Sequence, residues 1–509
     1  MKRFALLLRT FLLFCVLSFA CPAPAEVMLQ WFETDWDEMY QKLPKVAEIG
    51  YDSLWIPPPT KAPTGTSTKW GNVGYSLYDR FDLGDVPQRG TRETRYGSRG
   101  SLRNMVDNAH RLGIKIIPDI VMNHNGNGPD FREYPGMTAT DFHVQWQEGY
   151  VNTLNYKRAP RMNWWYHHEG YGATMWTDLA NLADIRTEDH PLNPDPKRFT
   201  GPKTDSDGQS FNFVDGTSYL RHVGQYDRYP YAYTNETAAE MLYRWIVWLG
   251  NAIDYDGLRL DAGKHTPYEF FGWRGAGFLH EAQWNYAQRR SYTFGGNPTD
   301  LFANDRDRTN AFIFAEILSP WSEIEYWYRQ GTGNPMRFLD AQMKSTADSC
   351  FTGNLSGLGA FGSDFGPSTG VTYVWGHDSV LADGAKANLA YAYILCHVGV
   401  PMVYYTGNNI SWADYGRVAW APGGPRTWMY PGYDDYALNE FPDKGALANL
   451  VWINQNFARG NEQKRWDNDA DFFALERYDD LNGNGQPNAG EGIMILALND
   501  SGGDITHNL

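Results

Sequence analysis

Cysteine is scarce in this chain, with four in 509 residues, and two of them, Cys15 and Cys21, fall within the first 25 positions. The other two, Cys350 and Cys396, exclude a disulfide-rich scaffold and lack the spacing of a zinc motif; one bridge between them and two buried thiols both remain open. Charge is sparse too, at 20% of residues, and its balance is acidic, with a formal net charge of −16. That balance argues against nucleic acid and anionic membrane as partners. Beyond the N-terminus no stretch approaches the roughly 18 uninterrupted apolar residues of a membrane span. Internal repeats and low-complexity tracts are absent, which excludes a solenoid or a disordered linker protein. What is abundant is apolar and aromatic: 42% hydrophobic and 15% aromatic residues, with 20 Trp and 32 Tyr, enough for a large core and more.

The one early apolar run has a different purpose. Lys2, Arg3 and Arg9 flank a Leu/Phe-rich segment reaching Phe19, and Ala23-Pro24-Ala25 supplies small residues ahead of Glu26. This is the pattern of a secretory signal peptide over residues 1–25. Cys21 raises a lipoprotein alternative, but Ser18 rather than leucine stands three residues before it. The expectation is a secreted chain, extracellular or periplasmic, soluble and monomeric.

After the leader, strand and helix patterns alternate. Glu26 to Phe32 and Tyr51 to Ile56 read as strands around an amphipathic helix from Trp36 to Ile49, and Leu102 to Leu112 is a helix leading to a third strand over Ile114 to Met122. Helical patterns recur at 238–253, 322–328, 385–397 and 446–457, with strands near 257, 312, 336, 371 and 401. Eight strands alternating with helices predict an α/β fold, a closed (β/α)8 TIM barrel. The interval from Asn125 to about Thr234 has no convincing helical period and is too long for an ordinary loop. The organisation expected is a barrel over 26–124 and 235–460, an irregular small domain inserted after the third strand over 125–234, and a short C-terminal β domain over 461–509. In that last part Phe472 to Tyr478 and Ile493 to Leu498 read as strands.

Chemistry concentrates at strand ends. In Gly257-Leu258-Arg259-Leu260-Asp261-Ala262-Gly263-Lys264-His265, Arg259 and Asp261 point the same way, so the arginine can hold the carboxylate ionised and aim it. A purely structural Arg/Asp pair is the other reading of that stretch alone. Ile116 to His124 ends in Asn123-His124, Phe312 to Ile317 carries the single acid Glu316, and Tyr373 to Asp378 ends in His377-Asp378. In this order the four stretches resemble the signature regions of the α-amylase family of glycoside hydrolases, and Gly74-Tyr75 with Asp82-Leu83-Gly84-Asp85 resembles that family's second-strand loop. The likeness runs from about Val27 to about Gly460.

The resemblance implies a retaining hydrolase of α-1,4-linked glucans, an endo-acting α-amylase, whose partner is a starch-type oligosaccharide or polysaccharide. Asp261 would be the nucleophile, Glu316 the general acid/base, and Asp378 the third carboxylate that binds sugar hydroxyls. Apolar neighbours Phe314, Ala315, Ile317 and Leu318 suit an acid that must arrive protonated. Tyr75 would lie beneath the cleaved sugar, His124 and His377 would hydrogen-bond it, and Lys264 would line the product side. Arg259 would serve the substrate site, and Asp119 would buttress Arg259 and the third strand. An exo-acting, α-1,6-cleaving or transglycosylating member of the family is the alternative, followed by a glucan-binding protein without catalysis. The family's calcium would be held by Asn123, Asp184 and the His265 carbonyl, with Asp178 a rival for Asp184.

A second calcium site follows from spacing alone. Asp480, Asn482, Asn484, Gln486, Asn488 and Glu491 occupy positions 1, 3, 5, 7, 9 and 12 of an EF-hand-type loop whose sixth position is Gly485. Its flanks read as strands, Pro487 replaces the usual aliphatic residue, and Asn-Gly repeats also make plain hairpin turns.

Overall fold

The first barrel strand is apolar at every position but one, and all five of its residues, Met28–Phe32, are buried. Strands with both faces covered belong inside a parallel sheet. In the computed structural model this strand, β1, is followed by β2 (Ser53–Ile56), β3 (Lys115–Ile120), β4 (Gly257–Leu260), β5 (Phe312–Ala315), β6 (Arg337–Leu339), β7 (Gly370–Thr372) and β8 (Val400–Thr406). Each pairs in parallel with its sequence neighbours, and β8 returns to β1, so the eight close into the barrel that the alternation predicts. The structure describes residues 26–62, 73–87, 90–125, 183–185, 213–214, 232–233, 238–266, 268–272, 277–294, 311–325, 336–360, 370–379, 386–406 and 446–507. The signal peptide expected over 1–25 and most of the inserted domain expected over 125–234 lie outside the described residues.

Helices form where apolar residues recur every three or four positions. In α1 (Trp36–Ile49) Trp36, Met39, Leu43, Val46 and Ile49 are buried along one stripe. In α2 (Arg99–Arg111) the stripe is Leu102, Met105, Val106 and Ala109, and Ser98 caps the helix by accepting from the Ser101 N–H at 3.1 Å. The longer helices that follow among the described residues are α3 (Ala238–Ile253), α4 (Phe278–Phe294), α5 (Ala341–Phe351), α6 (Ala387–Cys396) and α7 (Ala446–Phe457). None is long and apolar enough to cross a membrane among the described residues.

Two features differ from expectation. Helices α4 and α5 have no counterpart in the periodicity reading. Of the helix expected over 322–328, the described residues hold the turn Trp321–Glu323, and positions beyond 325 lie outside the described residues. The C-terminal part holds three strands instead of two: β9 (Asn461–Trp466), β10 (Phe472–Tyr478) and β11 (Gly492–Asn499), antiparallel in that order. Cys350 and Cys396 are free and buried, and burial pushes their thiols up to about 11 and about 12, which leaves both protonated and unreactive.

Candidate active site

Strand register decides which side chains meet. Asp119 of β3 is level with Arg259 of β4, and Arg259 with Phe314 of β5, so Asp261 and Glu316, each one residue past its strand, emerge side by side at the C-terminal face. Ala262 adopts a left-handed conformation, φ 50°, immediately after Asp261. That turn aims its N–H at Glu316 Oε2, 3.1 Å away, and a non-glycine residue holds such a backbone only where its surroundings impose it.

The hub is the Arg259 guanidinium, 1% exposed. Its Nη1 donates to Asp261 Oδ1 at 2.6 Å and to Asp119 Oδ1 and Oδ2 at 2.9 and 3.0 Å, and its Nη2 donates to Glu316 Oε2 at 2.7 Å. Burial works against the guanidinium's charge, yet the Asp119, Glu316 and Asp261 carboxylates together raise its pKa well above the usual range. Burial also pushes the Asp261 carboxyl well above the ordinary carboxylate range; Arg259 opposes this, and Glu316 and Asp119 add to it. One cation faces three carboxyl groups. Such a cluster retains a proton more readily than isolated carboxylates do.

A second chain of contacts crosses the barrel from β1. Gln30 Nε2 donates to His377 Nδ1 at 2.7 Å, which leaves the imidazole proton on Nε2. His377 Nε2 lies 3.0 Å from the Tyr75 hydroxyl, which donates to Asp119 Oδ2 at 2.7 Å, and Trp55 Nε1 reaches the same oxygen at 3.1 Å. The Tyr75 and His377 rings are stacked with centroids 5.4 Å apart. Burial lowers the His377 pKa, so the ring stays neutral. His124 donates from Nε2 to the Tyr75 carbonyl at 3.1 Å, has no partner for its buried Nδ1 among the described residues, and is held by burial at about 3.

Tyr75, His124, Arg259, Asp261, Lys264, His265, Glu316, His377 and Asp378 line one cleft of about 440 Å³, together with Ala262 and Leu318. Asp119 lies beneath it, 1% exposed and fully engaged by Arg259, Tyr75 and Trp55. Asp378 is exposed on the rim, and Lys264 Nζ donates to the Leu318 carbonyl at 3.3 Å. Gln30 is the residue that motif reasoning passes over. A lone polar position in the otherwise apolar β1 is the signal that would have found it.

The donors expected for the first calcium are partly described. Asn123, 3% exposed, accepts from the Thr266 hydroxyl at 3.2 Å through Oδ1, the oxygen expected to face the metal. His124–Asn125 pairs antiparallel with Ala183–Asp184, and the Ile185 N–H donates to the Asn123 carbonyl at 2.7 Å. The Asp184 backbone therefore lies opposite His124; its side chain, and Asp178 entirely, are outside the described residues. Among the described residues no group of three His, Cys, Asp or Glu could hold a metal ion. The amide and carbonyl oxygens fit only a hard cation. The six residues of the proposed second site stand apart from the cleft, in the loop between β10 and β11.

Comparison with known proteins follows this geometry. The family model described as alpha amylase, catalytic domain, matches residues 31–338. The chain is 30% identical over 267 residues to an α-amylase of Bacillus licheniformis, covering 48% of this chain and 46% of that protein. It is 23% identical over 489 residues to a cyclomaltodextrin glucanotransferase of Niallia circulans, covering 91% of this chain and 53% of that protein. Among solved structures, an α-amylase from Geobacillus thermoleovorans complexed with acarbose aligns with a TM-score of 0.50 at 17% identity, over 90% of this chain and 84% of that one. At that identity the likeness concerns the fold. The chain spans about half the length of the curated relatives it matches.

Proposed function

This chain belongs to the α-amylase family of glycoside hydrolases, and from that premise we propose that its cleft hydrolyses α-1,4-glucosidic bonds of starch-type glucans with retention of configuration. The observation that carries the reading is the single guanidinium of Arg259, bonded to Asp261 through one nitrogen and to Glu316 through the other. Retention needs a nucleophile and a proton donor roughly 5 to 5.5 Å apart, and two carboxyl groups that share one guanidinium are held close together.

In the first step Asp261 attacks the anomeric carbon while Glu316 gives its proton to the glycosidic oxygen, so the C–O bond breaks and the leaving sugar departs neutral. A covalent glycosyl ester on Asp261 results. In the second, the Glu316 carboxylate takes a proton from water, which attacks the same carbon and releases Asp261. Asp378 holds sugar hydroxyls, and the ring face of Tyr75 packs on the sugar's apolar face. Neutral His124 and His377 serve as hydrogen-bonding groups for sugar hydroxyls, and Lys264 lines the product side. Calcium held by Asn123, Asp184 and the His265 carbonyl would brace the insertion against the barrel without taking part in the proton transfers.

We read the action as endo and the chain as exported through its leader. Similarity to a cyclomaltodextrin glucanotransferase over most of this chain favours one second reading, in which a sugar hydroxyl replaces water in the second step. Soluble starch as substrate distinguishes the two, through product lengths and through the ratio of hydrolysis to transfer. NMR of early products should show the α anomer; β-anomeric product would overturn the nucleophile assignment. Asp261→Asn should lower kcat by about 10⁴-fold or more with an unchanged circular dichroism spectrum. Activity within tenfold of the parent would sink the proposal.

A further inference from the structure

We propose that the loop from Asp480 to Glu491, joining β10 to β11, is a calcium site built on a hairpin, distinct from the cleft. Two antiparallel strands need only a two-residue turn, whereas here residues 479–491 separate them. Within that excursion oxygen-bearing residues occur at the spacing of a twelve-residue calcium loop: Asp480, Asn482, Asn484, the Gln486 carbonyl, Asn488 and Glu491, with Gly485 sixth. Gly485 takes φ 70°, the conformation that position requires.

The loop is already folded around its own oxygens. Asp480 Oδ2 accepts from the Gly485 N–H at 2.8 Å and Oδ1 from the Asn484 N–H at 3.0 Å, while Asn482 and Asn484 accept from backbone N–H groups two residues on. Glu491 closes the circuit. Its Oε1 accepts from the Leu481 N–H at 3.1 Å, and its Oε2 accepts from Asn488 N and Nδ2 at 2.9 and 2.8 Å.

The independent observation concerns charge. Glu491 is 6% exposed although residues 481–485 around it are exposed, and among the described residues no Lys, Arg or His pairs with it or with Asp480. The other buried acid of this region, Glu476, is paired with Arg465. A buried carboxylate without a positive partner is costly, and a hard cation bound by oxygens supplies the missing charge. With two acidic ligands among neutral amides, affinity belongs at the weak end, on the order of 10⁻⁴ to 10⁻³ M. That range suits a protein working outside the cell. The Tyr478 hydroxyl donates to the Gly485 carbonyl at 3.0 Å and so ties the loop to β10, which lets the ion brace the sheet end while leaving the cleft untouched.

The test uses the full chain and Ca²⁺ alone. Asp480→Ala with Glu491→Gln should bind one calcium fewer than the parent and lose most of the rise in melting temperature that millimolar Ca²⁺ produces, with early turnover of soluble starch unchanged. Asp480→Asn keeps one of the two side-chain oxygens that accept from the Gly485 and Asn484 N–H groups and removes the charge; it should weaken this site about tenfold or more. Tb³⁺ luminescence excited through Tyr478 should appear in the parent and fade in both variants. Equal calcium stoichiometry and an equal thermal response in parent and variants would reduce the loop to a plain turn.

Discussion

Gln30 is fully buried in β1, and its partner His377 stands 347 residues later. Its amide donates to Nδ1, so the ring presents Nε2–H toward Tyr75 and the cleft. Gln30→Glu would place an anion on the same nitrogen and favour imidazolium, opposing the burial that now keeps the ring neutral. The free-enzyme pH profile reads this together with Asp261. Because burial raises the Asp261 carboxyl, the nucleophile becomes protonated as pH falls through a value above the ordinary carboxylate pKa of about 3.9, and kcat/KM should fall along its acid limb there. Gln30→Glu should add a further dependence at higher pH, whereas Gln30→Met should lower kcat/KM with little change in profile shape. Identical profiles for the two variants would show that Gln30 only fills space.

At the scale of elements, the two carboxylates are as well placed as the contact between β4 and β5. Gly257 opens β4 with no room for a side chain: a Cβ there would lie 2.1 Å from the Phe312 carbonyl oxygen. Gly257→Ala should separate the strands and cost about 1–3 kcal/mol, read by urea unfolding. Activity should fall further than stability explains, by roughly 10²-fold, because an ångström of misplacement between reacting groups is enough. Two of the elements that pattern reading misses, α4 and β9, have separate physical causes. Helix α4 turns Glu281, Gln283, Asn285 and Arg289 inward, all buried, and Arg289 bonds Asn285 at 2.9 Å and the Tyr255 carbonyl at 2.9 Å. A buried polar face hides the apolar stripe by which helices are recognised. Strand β9, Asn461–Trp466, is exposed or half-exposed throughout and is a strand only because β10 pairs with it.

Taken as a whole, the molecule joins its C-terminal sheet to the barrel through a specific interface. Phe473 is 1% exposed and meets Tyr393 of α6 edge-on at 5.6 Å, Glu462 accepts from His397 at 2.8 Å, and Arg477 donates to the Cys396 carbonyl at 3.0 Å. Phe473→Ala should therefore destabilise the molecule by about 3–5 kcal/mol. In a thermal scan the expected result is one cooperative transition at lower temperature. A separate early transition would mean that the sheet melts alone.

Local pattern was enough for what depends on neighbours along the chain: α1, α3 and α7 at their observed bounds, eight strands in order, and Asp261 and Glu316 each one residue past a strand, since periodicity and strand ends are short-range properties. The sequence also carried the pairing of Arg259 with Asp261, two positions apart. That the same guanidinium reaches Asp119 and Glu316, 140 and 57 residues away, was decided by barrel closure and register, which bring level the ends of strands unrelated in sequence. The neutral state of His377 and the raised carboxyl of Asp261 belong to the tertiary structure for the same reason: both come from desolvation, and no residue is desolvated until distant segments close over it.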